Sequence, residues 1–521
     1  MEKLLFGVEI EWFHAHLGSR PVGAEQVAAA TLAAIREAGH WLPDTGAGMF
    51  LPTGRVYPDC GHCEFASNEC SSPAELVANI KAFERVLTGI TPRVAELLGG
   101  GRTIFARLNV DHRSASFGTH LSVLTRHPPE YYARPLIPYL VAKTVIAGEG
   151  GPGPEGSRLV VSPRMLHIGC VSGIDTVQVK PIFNTRDEPH AGGGDQGTTV
   201  RRLHATCFST LSSELGWYLT VGFSAAVIRA VELGGVDIAD RLRLADPVKA
   251  MHAVASDLTC REPLKLAGGG QTTAVRILRE YLAIVTRYLA RLPAWAADVC
   301  GRLEEMLDKL ADDPSRLVGL LDWPTKAEIF RQHQLQPDDR SDGILRQLYS
   351  AVKRTAYGAR RPPLEVLLGP NSPVLETVAM LNLELERRGL RWEDCRPEQA
   401  GRLRLAEMDI RFATLGDGVF DELNRRGLLR HAVVDESDIE RAWREGPNTR
   451  ARLRAASVRR MAGSTDFAAT WRGVYDLRRG RVLDLRDPFE TSEKWVPTSE
   501  FDGVEHTMPR RLVSLLEGIV R

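Results

Sequence analysis

Residues 4–12 read Leu4-Leu5-Phe6-Gly7-Val8-Glu9-Ile10-Glu11-Trp12. β-Branched and aromatic side chains set among polar ones predict a strand. Side chains two residues apart on a strand project from one face, so Glu9 and Glu11 are expected side by side. Two carboxylates held together among Leu5, Phe6 and Val8 repel each other and lose hydration. A cation between them removes that conflict. Oxygen donors of this kind suit Mg²⁺, which commonly bridges carboxylates and substrate phosphates. A solvated strand face would carry the same two acids without a metal.

Working outward, residues 24–39 (AEQVAAATLAAIREAG) predict a helix closed by Gly39. Residues 73–98 predict a longer helix, with Pro73 near its start and Gly99-Gly100-Gly101 beyond its end. Arg55 to Asp59 and Ile104 to Val110 predict short strands. Residues 148–157 (GEGGPGPEGS) predict a flexible loop, and GGGD at 192–195 a second. Helical patterns dominate from about 208 to 320, and strands and helices mix again after a boundary near 425. The expected class is α+β, with a catalytic domain over 1–425 and a small C-terminal domain over 426–521.

The 521 residues carry 66 Lys+Arg against 66 Asp+Glu, with 25% charged and 43% apolar residues. That balance excludes disorder or a collagen-like repeat as a whole-chain description. It also excludes a polycation built to coat nucleic acid, so any phosphate must meet a local cluster of cations. The length implies two or more domains. Glu9 and Glu11 interrupt the first apolar stretch, so no signal peptide is expected there. No window approaches the roughly 18 apolar residues that a membrane helix needs. Eight cysteines without a disulfide-like spacing point to a reducing, cytoplasmic setting.

Two further segments carry chemistry. Tyr57-Pro58-Asp59-Cys60-Gly61-His62-Cys63-Glu64, followed by Glu69, offers a carboxylate to act as a base and others to complete a metal site; surface-loop acids would look the same. Cys60, His62, Cys63 and Cys70 resemble half of a zinc site, but no second ligand pair follows, and small buried thiols are the better expectation. Asn184-Thr185-Arg186-Asp187-Glu188-Pro189-His190 and Arg201-Arg202-Leu203-His204 flank the second Gly-rich loop. Arg forks match phosphate and carboxylate oxygens, and a neutral His204 is a metal donor; a salt-bridged surface turn is the alternative. There is no Walker A pattern and no G-x-S-x-G elbow. Residues 266–270 (LAGGG) form a Gly-rich turn before a helix, an anion site only if the helix N-terminus meets a ligand.

These segments resemble the Pup ligase and Pup deamidase family, relatives of glutamine synthetase and glutamate–cysteine ligase. The resemblance runs in order through GVEIEWF (7–13), GRVYPDCGHCEFASNEC (54–70), NVDHRSASFGTH (109–120), PIFNTRDEPHA (181–191), RRLH (201–204), LAGGGQTTAVRILREYL (266–282), LLDWPTK (320–326), GPNTRARLR (446–454) and RDPF (486–489). It implies a glutamine synthetase-like curved antiparallel sheet backed by helices, with ATP and Mg²⁺ on the concave face and a small C-terminal domain against it. It places metal ligands at Glu9, Glu11, Glu64, His120 and His204, with Tyr57 beside them, and the catalytic aspartate at Asp59. It places phosphate-facing cations at Arg186, Arg201 and Arg202. Of these, only His120 has no local pattern to mark it.

The resemblance further implies a ligase that phosphorylates the C-terminal glutamate side chain of the small protein Pup and passes it to a lysine amine of a protein substrate. The deamidase branch instead hydrolyses the side-chain amide or the isopeptide bond. The short stretch from Glu11 to Tyr57 and the motif VLDLRDPF look like the ligase; the spacing of Asp59 and Glu64, and LLDWPTK, look like the deamidase. Leu121-Ser122, Ser209 and Leu211 depart from polar residues of the family, and residues 340–395 look like an insertion. A divergent enzyme joining a small molecule or peptide, independent of Pup, fits those departures. Neither nucleic acid nor membrane is expected as a partner.

Overall fold

The computed structural model describes residues 4–501, apart from residues 20, 45, 111–114, 154–158, 188–200, 236–237 and 336–405. The expected insertion at 340–395 lies outside the described residues. The N-terminal stretch forms β1 (Phe6–Leu17), longer than its alternating core because its far end pairs with a different strand. β2 (Leu42–Pro43), β3 (Met49–Leu51), β4 (Gly54–Asp59), β5 (His62–Ser67), β6 (Arg102–Ala106) and β7 (Thr119–Thr125) follow. β8 (Gly151–Pro152) pairs with β9 (Leu159–Val160), and β10 (Ile168–Gly173) with β11 (Lys180–Asn184), before β12 (Arg201–Phe208). The main sheet runs β12-β7-β1-β5-β4-β3-β2, with β6 pairing to the end of β1. Among the described residues its pairings are all antiparallel.

β1 explains the arrangement. Val8, Ile10 and Trp12 are buried on one face, while Glu9 and Glu11 alternate onto the other. Each such apolar side chain contributes about 2 kcal/mol by burial. A one-residue slip would exchange this for two buried carboxylates, costing several kcal/mol each. Register is therefore set by the sequence.

Helices cover the apolar face. α1 (Ala24–Glu37) and α2 (Pro73–Leu97) pack there, with Ser72 Oγ capping α2 by accepting from Glu75 N at 3.2 Å. Next come α3 (Pro129–Ala142), α4 (Thr144–Ala147), α5 (Glu214–Glu232), α6 (Ile238–Arg241) and α7 (Pro247–Ser256). β13 (Leu264–Lys265) and β14 (Gln271–Thr272) form a hairpin ahead of α8 (Ala274–Arg287), α9 (Trp295–Asp312) and α10 (Asp322–Leu335). The apolar side chains of the sheet and these helices merge in one large core. Among the described residues no helix is long and apolar enough to cross a membrane.

After α11 (Val419–Arg425), α12 (Glu436–Arg444) packs on α2. α13 (Arg450–Met461) joins the antiparallel sheet β15 (Phe467–Ala469), β16 (Gly473–Asp476), β17 (Arg481–Asp484), β18 (Trp495–Pro497). Leu42 and Phe50 of the main sheet share a smaller core with Val458, Val474 and Leu483.

Two expectations fail here. Gly148–Gly151 is packed, not a free loop: a Cβ on Gly150, whose φ is +64°, would meet Trp323 Cα at 2.9 Å. Residues 154–157 of that stretch lie outside the described residues, as does GGGD at 192–195. The Gly-rich turn at 266–270 closes the β13–β14 hairpin, and Thr273 caps α8 instead.

Candidate active site

The site is assembled on the polar face of the sheet, with β1 at its centre. Glu9 stands opposite His120 of β7, and Glu11 opposite Glu64 of β5, which in turn faces Tyr57 of β4. His204 of β12 lies opposite Ser122, two residues along from His120. These pairings gather two clusters: Glu9, His120 and His204; and Glu11, Asp59 and Glu64. In each, the donor atoms lie within 4.8 Å of one another.

In the first cluster His204 Nε2 lies 3.2 Å, and His120 Nδ1 3.4 Å, from Glu9 Oε2. Arg202 pairs with Glu9 Oε1, and its Nε donates to Ser122 Oγ at 3.0 Å. Burial alone would raise the Glu9 pKa, but Arg202, His204 and His120 outweigh it and hold the carboxyl well below the usual range. Burial lowers the His204 pKa to about 4 against the pull of Glu9, so its ring is neutral at pH 7 and has a lone pair to give. Neither His204 ring nitrogen has a well-formed hydrogen bond.

The second cluster is oxygen-only. Burial, then Glu9 and Glu11, push the Glu64 carboxyl well above its ordinary pKa, while the Tyr57 hydroxyl, donating at 2.5 Å, opposes the rise. Burial and Glu64 also raise the Tyr57 pKa, so this residue orients Glu64 as a neutral phenol. Arg55 lies over the Tyr57 ring at 4.2 Å. Asp59 is the exposed member, at the tip of the β4–β5 hairpin. The two turn residues there, Cys60 and Gly61, have φ of +46° and +85°, matching the left-handed pair of a tight hairpin turn.

Both clusters fit divalent cations. A neutral His204 ring whose nitrogens lack good partners among the described residues, and a carboxyl driven to hold a proton by its neighbours, are what a cation would satisfy. Beside Glu9 a cavity of about 110 Å³ opens between the sheet and the C-terminal elements, with Arg201, Arg202, Arg450 and Trp471 among its lining.

The remaining expected residues are dispersed. Glu69 does not join the acids; it pairs with Arg450 and Arg454. Arg201 pairs with Asp187 at 2.6 Å on the cavity wall. Arg186 lies further out, its Nη2 donating to Ile174 O at 3.3 Å. Cys63 and Cys70 are core thiols, and burial pushes Cys63 up to about 12. Glu188 and His190 lie outside the described residues. Of the departures, Leu121 and Leu211 belong to the core and Ser209 is buried, whereas Ser122 faces the site and holds Arg202. Sequence reasoning missed Trp471, in the connection between β15 and β16, and Arg450, whose one signal is its place in the motif GPNTRARLR.

The polar sheet face with its paired clusters defines an enzyme-like site of the carboxylate-rich kind, and comparison gives its family. The family model described as Pup-ligase protein matches residues 18–353 and 377–475, so the chain belongs to the Pup ligase family. A Pup deamidase/depupylase of Mycobacterium tuberculosis is 30% identical over 444 residues, covering 83% of this chain and 75% of its own. A Pup–protein ligase of Rhodococcus erythropolis is 28% identical over 518 residues, covering 95% and 98%. In solved structures, the ligase PafA in complex with Pup superposes with a TM-score of 0.69 at 21% identity, covering 99% of this chain and 94% of that one. The ligase PafA in complex with ADP gives 0.62 at 20% identity, covering 96% of each. The fold is thus the one this family shares, as the resemblance implied.

Proposed function

We propose that this protein is an ATP-dependent carboxylate–amine ligase joining the C-terminal glutamate side chain of Pup, or a Pup-like protein, to a substrate lysine. The observation that carries the reading is the pair of clusters on one sheet face, beside a cavity walled by Arg201 and Arg202. Supporting it, the ligase of Rhodococcus aligns over nearly its whole length.

In the reaction, a carboxylate oxygen of the substrate glutamate forms a bond to the γ-phosphorus of ATP as the bond to ADP breaks. The acyl phosphate that results is attacked at its carbonyl by the lysine amine; the C–N bond forms, inorganic phosphate leaves and the amine loses a proton. Glu9, His120 and His204 would hold one Mg²⁺, and Glu11 and Glu64 a second. When bound, these ions offset the repulsion between carboxylate and triphosphate. Arg202 keeps Glu9 ionised, and Tyr57 orients Glu64. Arg201 and Arg202, on the cavity wall, would present cations toward the phosphates, with Arg186 further out. Asp59, exposed at the hairpin tip, takes the proton from the amine. The activated carbonyl arises on the substrate, so no protein nucleophile is required.

A second reading is favoured by the depupylase at 30% identity. Water then replaces the amine and attacks the side-chain amide or isopeptide carbonyl, with Asp59 again taking the proton. We also assign the small unit at 426–521 to closing the nucleotide cavity, since Arg450 and Trp471 line it, and the enzyme to the cytoplasm. The test is trapping. With ATP, Mg²⁺ and Pup ending in glutamate, and no lysine acceptor, hydroxylamine should yield a glutamyl hydroxamate together with ADP. Failure to form hydroxamate while ATP is bound rejects the acyl phosphate.

A further inference from the structure

Behind the acid clusters sits a buried guanidinium that makes no direct ion pair among the described residues. Arg164 opens a short 3₁₀ turn (Arg164–His167) and is 2% exposed. Burying a charge without a direct ion pair is costly, so its hydrogen bonds carry weight. Nη2 donates to Thr206 O of β12 at 2.8 Å, Nη1 reaches Ser116 Oγ at 3.5 Å, and the backbone N–H donates to buried Glu149 at 3.0 Å. Among the described residues Nε has no partner, and neither has Thr206 Oγ1.

The side chain lies flat on Gly118. A Cβ at residue 118 would stand 2.9 Å from Arg164 Cδ and Nε, and 2.6 Å from Asn109 Oδ1. Only glycine permits that approach, and its φ of +156° is itself ill suited to a side chain. The same Gly118 grips the site. Its N–H donates to Glu11 Oε2 at 2.8 Å, and its carbonyl accepts from Glu11 N at 2.9 Å.

We infer that Arg164 is a positioning residue that fixes the metal-ligand geometry by bracing Gly118 against Glu11 and tying β12 to the start of β7. Thr206 is two positions along from His204, and Gly118 two positions before His120. One buried side chain thus spans the strands bearing His204, His120 and Glu11, members of both clusters. Burial lowers the Arg164 pKa, and the Glu11 and Glu149 carboxylates oppose that fall. Outer contacts of this kind set ligand orientation, and losing them typically costs 10–100-fold in metal affinity.

The inference rests on the two-cation reading above, and titration of the full chain with Mn²⁺, followed by electron paramagnetic resonance without substrate or turnover, separates the two. Arg164→Met should weaken Mn²⁺ binding about tenfold while far-UV circular dichroism stays as in the parent. Arg164→Lys should recover part of that loss. Gly118→Ala, which forces Arg164 aside, should weaken binding as Arg164→Met does. Unchanged Mn²⁺ affinity in folded Arg164→Met, with Glu11→Ala still abolishing a site, overturns the role of Arg164 and leaves the cation sites standing. Unchanged affinity in Glu11→Ala as well rejects the cation sites themselves. If Arg164→Met fails to fold, Gly118→Ala with parental affinity overturns the inference.

Discussion

Asp59 and Glu9 divide the work at the residue scale. Asp59 is exposed at a hairpin tip, so Asp59→Asn removes a base without disturbing packing. It should bind ATP as the parent does but slow amide-bond chemistry by two or more orders of magnitude. Calorimetry and a conjugation assay measure the two; undiminished conjugation rejects the assignment. Glu9 sits between Arg202, His120 and His204. Glu9→Ala should weaken Mg²⁺-ATP binding at least tenfold, and nucleotide affinity unchanged in calorimetry counts against it. Glu9 was legible because the period of a strand sets it beside Glu11, and Asp59 because it stands in an acid-rich turn segment that the resemblance marks. His120 was reached through the resemblance alone, and Arg164 not at all. Their neighbours in sequence show no pattern, and their placement depends on strands more than a hundred residues from β1.

Among the elements, the link between α5 and the chain after α11 has a pH dependence of its own. His431 Nδ1 accepts from Glu214 N at 3.1 Å, and its Nε2–H faces Asn424 Oδ1 at 3.1 Å. Burial, with Lys81 and Arg107 nearby, lowers its pKa to about 3. The folded state therefore needs the neutral ring. Its contribution is full above the unfolded pKa of about 6.5 and is lost progressively as the pH falls toward 3. At pH 5 the loss is about 2 kcal/mol. His431→Gln should show a correspondingly smaller drop in unfolding free energy between pH 7 and 5 in urea titrations. Equal drops in parent and variant would refute this. The elements themselves followed from local signals such as Pro73 and the glycines at 99–101. The packed Gly148–Gly151 did not, because a glycine run reads alike whether it is solvated or pressed against Trp323.

For the whole molecule, Glu69 joins the sheet to the C-terminal unit. It accepts from Arg450 Nε at 2.6 Å and from Arg454, whose guanidinium lies 4.7 Å from the Trp471 ring centroid. Burial would raise the Glu69 pKa, but the two arginines bring it to about 2. Its stabilisation is complete above about pH 4.5 and fails as pH drops through 2. Glu69→Gln removes the carboxylate that two buried cations share and should cost about 3–5 kcal/mol in denaturant unfolding, with weaker nucleotide binding because Arg450 and Trp471 wall the cavity. A variant as stable as the parent would show that the clamp is idle. Glu69 was expected among the metal-site acids; nothing local distinguishes a carboxylate bound for a cation from one bound for two arginines hundreds of residues away.

The central claim is ATP-driven ligation of a glutamate side chain. Its most direct measurement incubates the protein with ATP, Mg²⁺, a lysine-bearing acceptor and Pup ending in either glutamate or glutamine, and follows products by intact mass. The account predicts a conjugate from the glutamate form, with one ADP per bond. Conversion of the glutamine form to glutamate, with no conjugate from the glutamate form, would contradict it.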